Sequence, residues 1–490
     1  MTYKLYDWQR EDLNRIAANR YTALMNLDMG AGKTVMAAFA IKESGAQITL
    51  IMAPQSTHET AWKPTVRDVV GVTPRVIGNY NKASKEAMAE FVLGVPGVYL
   101  ATGQFVARTD VSNWSGDMLI WDELHQGNSP KTRLQRQMSG FYPGDPEPLN
   151  ARFPMRLGLS GTPLKQSFTN AWPVARFLFP ELGAPGQPAE SNFFGWQARR
   201  MTYESVYTNQ RDRDGNPKIV KQYLSEREPG RLIAELPCVV THKRREACCR
   251  YHPHGFLDLD EPQVIDRIIP LLPAQRKAIK ELEDHLMTYI EDNPLVTEIP
   301  LVQQTRIRQI CLGVPTVRYF EVDGVEKTTL DFEPDCKSPL YDEILEILTE
   351  LPSNEPVLIF MESQKFASVI TRRLNEAGVS AVEYSGKTSA KDRQEYVSGF
   401  GSRYRVIVGV ASAIGTGTDG LQAVCNTEIW AEVPVSLTVQ QQAEGRLSRS
   451  GQRRQVQRFR LKDDTGYAEG RISDQLQMKL MLNRSLRAAH

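Results

Sequence analysis

Leu27-Asp28-Met29-Gly30-Ala31-Gly32-Lys33-Thr34 decides the fold, because it joins an apolar run (Tyr21 to Leu27) to a helix-forming run (Val35 to Ala40). Strand, glycine turn and helix in that order make a phosphate cradle. The glycines let backbone N–H groups approach a polyphosphate, and the helix N-terminus adds partial positive charge. Lys33 suits the β and γ phosphates of ATP, and the Thr34 hydroxyl suits Mg²⁺. The common pattern has a further glycine five places before Gly32, where this chain has Leu27. The reading therefore leans on what else the chain carries.

Asp117-Met118-Leu119-Ile120-Trp121-Asp122-Glu123-Leu124-His125 is a short apolar strand ending in two carboxylates. Asp122 is placed to bind magnesium together with Thr34, and Glu123 to orient and deprotonate a water. Far downstream, Gln440-Gln441-Gln442-Ala443-Glu444-Gly445-Arg446-Leu447-Ser448-Arg449 sets two arginines three residues apart, a spacing that predicts one helical face directed at one phosphate. An arginine so placed is worth about three to five orders of magnitude in phosphoryl transfer.

At 490 residues the chain is too long for one core, and two or three domains are expected. The N-terminus lacks a basic stretch followed by an apolar leader, and apolar runs are short, which predicts a cytoplasmic protein without membrane spans. Cys238, Cys248, Cys249, Cys311, Cys336 and Cys425 form no regular framework, so free thiols are expected. Cys248-Cys249 near His252 and His254 lacks the usual zinc spacing, and Asp212-Arg213-Asp214-Gly215 has its glycine too early for a calcium loop. The formal net charge of +1 does not announce nucleic-acid binding, although Arg446 to Lys462 holds seven basic residues and no acid. Such a run is usually a solvated face.

Apolar strands at Tyr21–Leu27, Ile48–Ala53, Val98–Ala101, Met118–Trp121 and Met155–Leu159 alternate with helical stretches. This rhythm predicts an α/β fold with a parallel sheet and ligands at the carboxyl ends of its strands. From 181 to 335 the pattern becomes irregular and mostly helical, with a turn at Asp214-Gly215-Asn216-Pro217 and a long helix over Pro273–Glu291. After 336 the α/β rhythm returns, with strands at Val357–Phe360, Ala381–Tyr384, Arg405–Val410 and Glu428–Ala431. Three regions are expected: a first lobe (1–180), an inter-lobe insertion (181–335) and a second lobe (336–490).

The chain resembles superfamily-two helicases, and among them the Swi/Snf-type DNA translocases. The resemblance rests on Tyr6-Asp7-Trp8-Gln9 (an adenine-reading motif), Leu50 to Ser56 (motif Ia), Leu159-Ser160-Gly161-Thr162-Pro163-Leu164 (motif III), Gly415 to Gln422 (motif V) and Gln442 to Gln452 (motif VI). The Swi/Snf flavour comes from Ala171-Trp172 through Phe177-Leu178-Phe179-Pro180, from Gly451-Gln452, and from Arg306 to Cys311, which is similar to an inter-lobe helix. The chain departs from the family in Leu-Asp-Met-Gly-Ala at the phosphate loop, in Leu124 and in Gln422.

The resemblance implies two RecA-like lobes, with ATP and Mg²⁺ as cofactors and DNA as the partner. It implies that Gln9 reads adenine, that Gly30, Gly32, Lys33 and Thr34 hold phosphates, that Asp419 lies near the ribose, and that Gln442 positions the γ-phosphate. Ser160 and Thr162 would link nucleotide to DNA. Backbone contacts would come from Pro54, Gln55, Ser56, Thr102, Ser385, Gly386 and Thr416, which are hydroxyls and amides that carry little base information. The expectation is a monomeric prokaryotic or phage-like DNA translocase of replication, repair or recombination. A strand-separating helicase tracking on single strands, an RNA helicase and a non-catalytic scaffold are the alternatives.

Overall fold

A computed structural model of the chain describes residues 3–466 except 80, 128–130, 142–144, 165–167, 181–192, 212–216, 229–235, 245–249, 254–258, 286, 291–292, 297–299, 323–324, 416–417, 419 and 450. The chain divides into two compact units, one running to Leu257 and the other from Asp258 to Leu476. Among the described residues no helix is long and apolar enough to cross a membrane.

The first unit is built on β1 (Ala23–Leu27), β2 (Ile48–Met52), β3 (Arg75–Val76), β4 (Gly97–Ala101), β5 (Met118–Asp122) and β6 (Met155–Leu159). Beyond them come a hairpin of β7 (Met201–Arg211) and β8 (Pro217–Glu226), then β9 (Val239–His242). The sheet order is β3-β4-β2-β5-β6-β1-β9, and every pairing in it is parallel. Leu24, Leu50 and Leu119 face one apolar cluster, while their neighbours Met25, Ile51 and Ile120 face the other, as the two-residue strand period requires. Two helices, α1 (Asp7–Ala18) and α2 (Lys33–Ser44), lay Leu13, Ile16, Met36 and Ile41 on the second face. Each such side chain, once buried, stabilises by about 1.5–3 kcal/mol, so coverage of both faces fixes this sheet.

The region 181–335, expected to be mostly helical, holds eight strands between Met201 and Asp331 among the described residues. β9 pairs with β1 from Leu24↔Val239 to Leu27↔His242, so a segment read from sequence as inter-lobe completes the first sheet. Its four residues are too few to show a period. The expected turn at 214–216 lies outside the described residues, although β8 begins at Pro217 and pairs antiparallel with β7.

The second unit contains β10 (Gln263–Ile269), the hairpins β11 (Met287–Ile290) with β12 (Asn293–Val296) and β13 (Thr316–Val322) with β14 (Val325–Asp331), then β15 (Val357–Met361), β16 (Ala381–Tyr384), β17 (Val406–Val410), β18 (Thr427–Trp430) and β19 (Gln457–Asp463). Its main sheet, β10-β19-β18-β15-β17-β16, is also all parallel. The helix predicted over Pro273–Glu291 stops at His285, because Met287-Thr288-Tyr289-Ile290 is β-branched and aromatic and pairs with Asn293–Val296. The end of the basic run forms β19, whose Phe459 and Leu461 are buried while Arg458, Arg460 and Lys462 alternate to the other side. There they meet acids: Arg458 pairs with Glu428 and Glu444, and Arg460 and Lys462 with Asp266, while Arg454, ahead of the strand, pairs with Glu355.

Candidate nucleotide and nucleic-acid site

The first unit brings its chemistry to the carboxyl ends of β1, β2, β4, β5 and β6. After β1 the backbone turns at Gly30 (φ 83°) and Gly32 (φ 82°), a region closed to most side chains, and α2 starts at Lys33. The Lys33 Nζ donates to the carbonyls of Leu27 (2.8 Å) and Asp28 (3.2 Å), so its ammonium lies along the loop that would cradle phosphates. Gln9 braces this loop. Its amide donates to the Ala31 carbonyl (3.0 Å) and accepts from the Tyr6 N–H (3.0 Å), and it is 3% exposed. A Cβ at Gly32 would lie 2.5 Å from the Gln9 Nε2. The residue expected to read adenine is thus built in as a strut between α1 and the phosphate loop.

At the end of β5, Asp122 is buried and pinned from two sides. The Trp62 indole N–H donates to its Oδ2 (3.0 Å), and the Glu123 N–H to its Oδ1 (3.0 Å). Burial, and secondly the Glu123 carboxylate, push the Asp122 carboxyl well above the usual carboxylate range, against the pull of Trp62 and Lys33. Two hard oxygen donors, the Thr34 hydroxyl and a carboxylate in a site of raised negative potential, suit Mg²⁺. Glu123 has φ 54°, a left-handed conformation that costs a residue with a Cβ about 1–2 kcal/mol. Backbone strain of this kind clusters at functional sites.

The Nδ1 of His125 sits 3.1 Å from the Glu123 Oε2 and 3.0 Å from the Ser160 Oγ. Ser160 is fully buried after β6, and its Oγ also accepts from the Thr162 N–H (3.1 Å). Ser160 is therefore a link within the unit rather than an exposed contact. Sequence reading gave His125 no role, since the relay depends on a partner 35 residues away. It also passed over Lys243, at the exit of β9. The Lys243 Nζ donates to the Gly161 carbonyl (2.7 Å) and to the Asn26 Oδ1 (2.8 Å), and lies 3.4 Å from the Asp28 Oδ1. The Arg244 N–H donates to the other Asp28 oxygen (2.9 Å), so β9 fastens motif III to the phosphate loop. No local signal marks such a lysine.

Pro54, Gln55 and Ser56 follow β2, and Thr102 follows the adjacent β4, with the Ala53 N–H donating to the Ala101 carbonyl (3.0 Å). Gln55 is exposed and the other three are half-buried. Thr102 caps the helix Gly103–Arg108 by accepting from the Phe105 N–H (3.2 Å), which leaves its O–H to donate.

In the second unit, Gln442 lies half-buried on the helix Leu437–Glu444, which ends at Gly445. Arg446 and Arg449 thus stand beyond the helix, not on one face of it: Gly445 closes the last turn before either arginine. The two also differ. Arg446 is 6% exposed and donates to the carbonyls of Gly415 and Thr418, fastening the motif V turn, while Arg449 is half-buried. Ser385 is 1% exposed, its Oγ accepting from the Gln364 amide (3.2 Å), whereas the adjacent Gly386 is exposed. Thr416 and Asp419 lie outside the described residues, as do Cys248-Cys249 and Asp212 to Gly215. The four described cysteines, Cys238, Cys311, Cys336 and Cys425, are free.

Two family descriptions match the chain: the res subunit of type III restriction enzymes over residues 2–165, and the helicase conserved C-terminal domain over 340–451. Curated relatives include Protein CHROMATIN REMODELING 24 of Arabidopsis thaliana, 23% identical over 81% of this chain and 38% of its own length. An uncharacterized ATP-dependent helicase of Mycoplasma genitalium is 19% identical over 93% of this chain and 40% of its own. The chain spans about two fifths of the length of these relatives. A solved SWI2/SNF2 ATPase core of Sulfolobus solfataricus in complex with dsDNA aligns over 100% of this chain and 97% of that one, at 17% identity and a TM-score of 0.41.

Proposed function

We propose that this chain, a superfamily-two helicase-type ATPase of the Swi/Snf kind, hydrolyses ATP in response to DNA and couples each cycle to movement along duplex or forked DNA. The observation that carries the reading is the relay Glu123–His125–Ser160–Thr162, which ties the water-activating carboxylate to motif III. Glu123 takes the proton of the attacking water, Lys33 offsets charge on the β and γ phosphates, and Thr34 and Asp122 hold the metal. Magnesium, when bound, neutralises phosphate charge. Arg449 on the second unit supplies the finger charge, with Arg446 as the strap that keeps motif V in place. Asp419 at the ribose and Gln442 toward the γ-phosphate complete the nucleotide set.

DNA contact falls to Pro54, Gln55, Ser56, Thr102 and Thr162 on the first unit and to Gly386 and Thr416 on the second. Such groups meet phosphates rather than base edges, which makes binding independent of sequence. Because the contacts divide between two units, a cycle that moves one against the other advances the protein along the strand. Fork and branch remodelling in replication, repair or recombination are the tasks that suit such a motor.

An ATPase titration with duplex, forked and single-stranded DNA alongside RNA tests this. Duplex or forked DNA is expected to stimulate most, and Lys33→Ala, Glu123→Gln and Arg449→Ala each to lower the stimulated rate by about 10³-fold or more. Full activity in any two of these variants, or stimulation by RNA alone, overturns the proposal.

A further inference from the structure

Trp62 is fully buried, and its indole N–H is spent on the Asp122 Oδ2 at 3.0 Å. Sixty residues separate the two in sequence. Trp62 closes a single π turn, His58–Trp62, inserted between the short helix Gln55–Thr57 and the helix Lys63–Val70. π turns are rare and recur at functional sites. The segment that holds Asp122 is therefore the continuation of the segment that holds Pro54, Gln55 and Ser56.

The connection is stiff. The Thr57 hydroxyl donates to the Pro54 carbonyl (2.8 Å) and the Thr60 hydroxyl to the Ser56 carbonyl (2.9 Å). The Nε2–H of buried His58 donates to the Ala53 carbonyl (3.1 Å), so three side chains fasten the turn to the carbonyls of the residues that lead into it. Past the turn, Val66 and Val69 share the apolar cluster of Met36 and Ile41 on α2, the helix that begins at Lys33. One rigid stretch thus runs from the proposed DNA face past Asp122 to the phosphate-loop helix.

We propose that Trp62 is a positioning residue for Asp122, and that the His58–Trp62 turn carries a displacement of Pro54–Ser56 by a nucleic-acid backbone to the metal-holding carboxylate. Packing alone does not require tryptophan here, because phenylalanine fills most of the same apolar volume without an N–H. The second half of the inference rests on the DNA reading given above; the first half does not.

The test uses the full chain and a fluorescent N-methylanthraniloyl ADP, titrated with Mg²⁺ in the presence and absence of forked DNA. Without DNA, Trp62→Phe is expected to weaken the apparent Mg²⁺ affinity of the nucleotide complex about tenfold, the lower range for removing an outer partner of a metal ligand, while nucleotide binding in EDTA stays unchanged. DNA is expected to tighten the Mg²⁺ constant of the wild type and to leave that of Trp62→Phe unmoved. An unchanged Mg²⁺ constant in Trp62→Phe overturns the positioning role, even if the melting temperature falls. Equal tightening by DNA in both proteins overturns the transmission. If DNA stimulates neither ATPase nor Mg²⁺ binding in the wild type, the DNA reading fails, and the DNA-free comparison still decides the role of Trp62. Should Trp62→Phe not fold, 5-fluorotryptophan spectra of the wild type and Asp122→Ala decide: one indole resonance is expected to move both on Mg²⁺–ADP addition and in Asp122→Ala, and none in common overturns the proposal.

Discussion

Asp122, the last residue of β5 in the first unit, and Glu428, within β18 of the second, are both buried carboxylates, and burial raises both above their ordinary range. They differ in company. Glu428 meets the guanidinium of Arg458, which also pairs with Glu444 at 3.1 Å, so its charge is answered within the fold. Asp122 receives two N–H groups and stands beside Glu123, while the nearby Lys33 ammonium turns to backbone carbonyls. A buried acid balanced by its own cation is architecture. A buried acid facing a second acid is poised for a charge brought from outside.

The largest effect that could break this contrast is on Arg458. Replacing it by methionine leaves Glu428 without its cation, and urea unfolding is expected to show a loss of about 3–5 kcal/mol. Adding Glu428→Gln is expected to restore much of it; a loss below about 1 kcal/mol in the single variant would erase the distinction.

A smaller and opposite effect is expected at Asp122. Its carboxyl is raised in the folded chain, so between the ordinary carboxylate value and that raised value the folded state holds a proton that the unfolded state has released. Stability then falls as pH rises through this window. Asp122→Asn removes that slope. In Mg²⁺-free buffer the variant is expected to melt about 2–4 °C above the wild type at pH 8 and to lose the gain near pH 4. A gain independent of pH speaks against a charged, unanswered Asp122.

The smallest effect is at the edge of the second sheet, where Arg460 and Asp266 pair at 2.7 Å with side chains 40% and 38% exposed. Arg460→Ala is expected to change unfolding free energy by less than about 1 kcal/mol and to lose even that in high salt.

What the sequence revealed follows the same division between local and distant. β1, β2, β4, β5 and β6 were legible because each is an apolar run ending in chemistry-bearing residues, and Lys33, Thr34, Asp122, Glu123 and Ser160 fall at their ends. β9, β10 and β19 were not, being short or charged segments whose strand state depends on the neighbours β1, β19 and β18 beside them. The helix over Arg446 and Arg449 was misread because Gly445 ends it, and helical spacing by itself carries no stop. Trp62, His125 and Lys243 escaped notice since their partners lie 35 to 217 residues away.

The position of β9 bears on how this chain tolerates change. β6 and β9 flank β1 on opposite sides, so the excursion between them, hairpin included, leaves one framework and returns to it. It is a closed handle, not a tether to the other half of the molecule. A fragment cut at residue 180 would lose β9 and bare the edge of its nucleotide-bearing strand to other copies of itself.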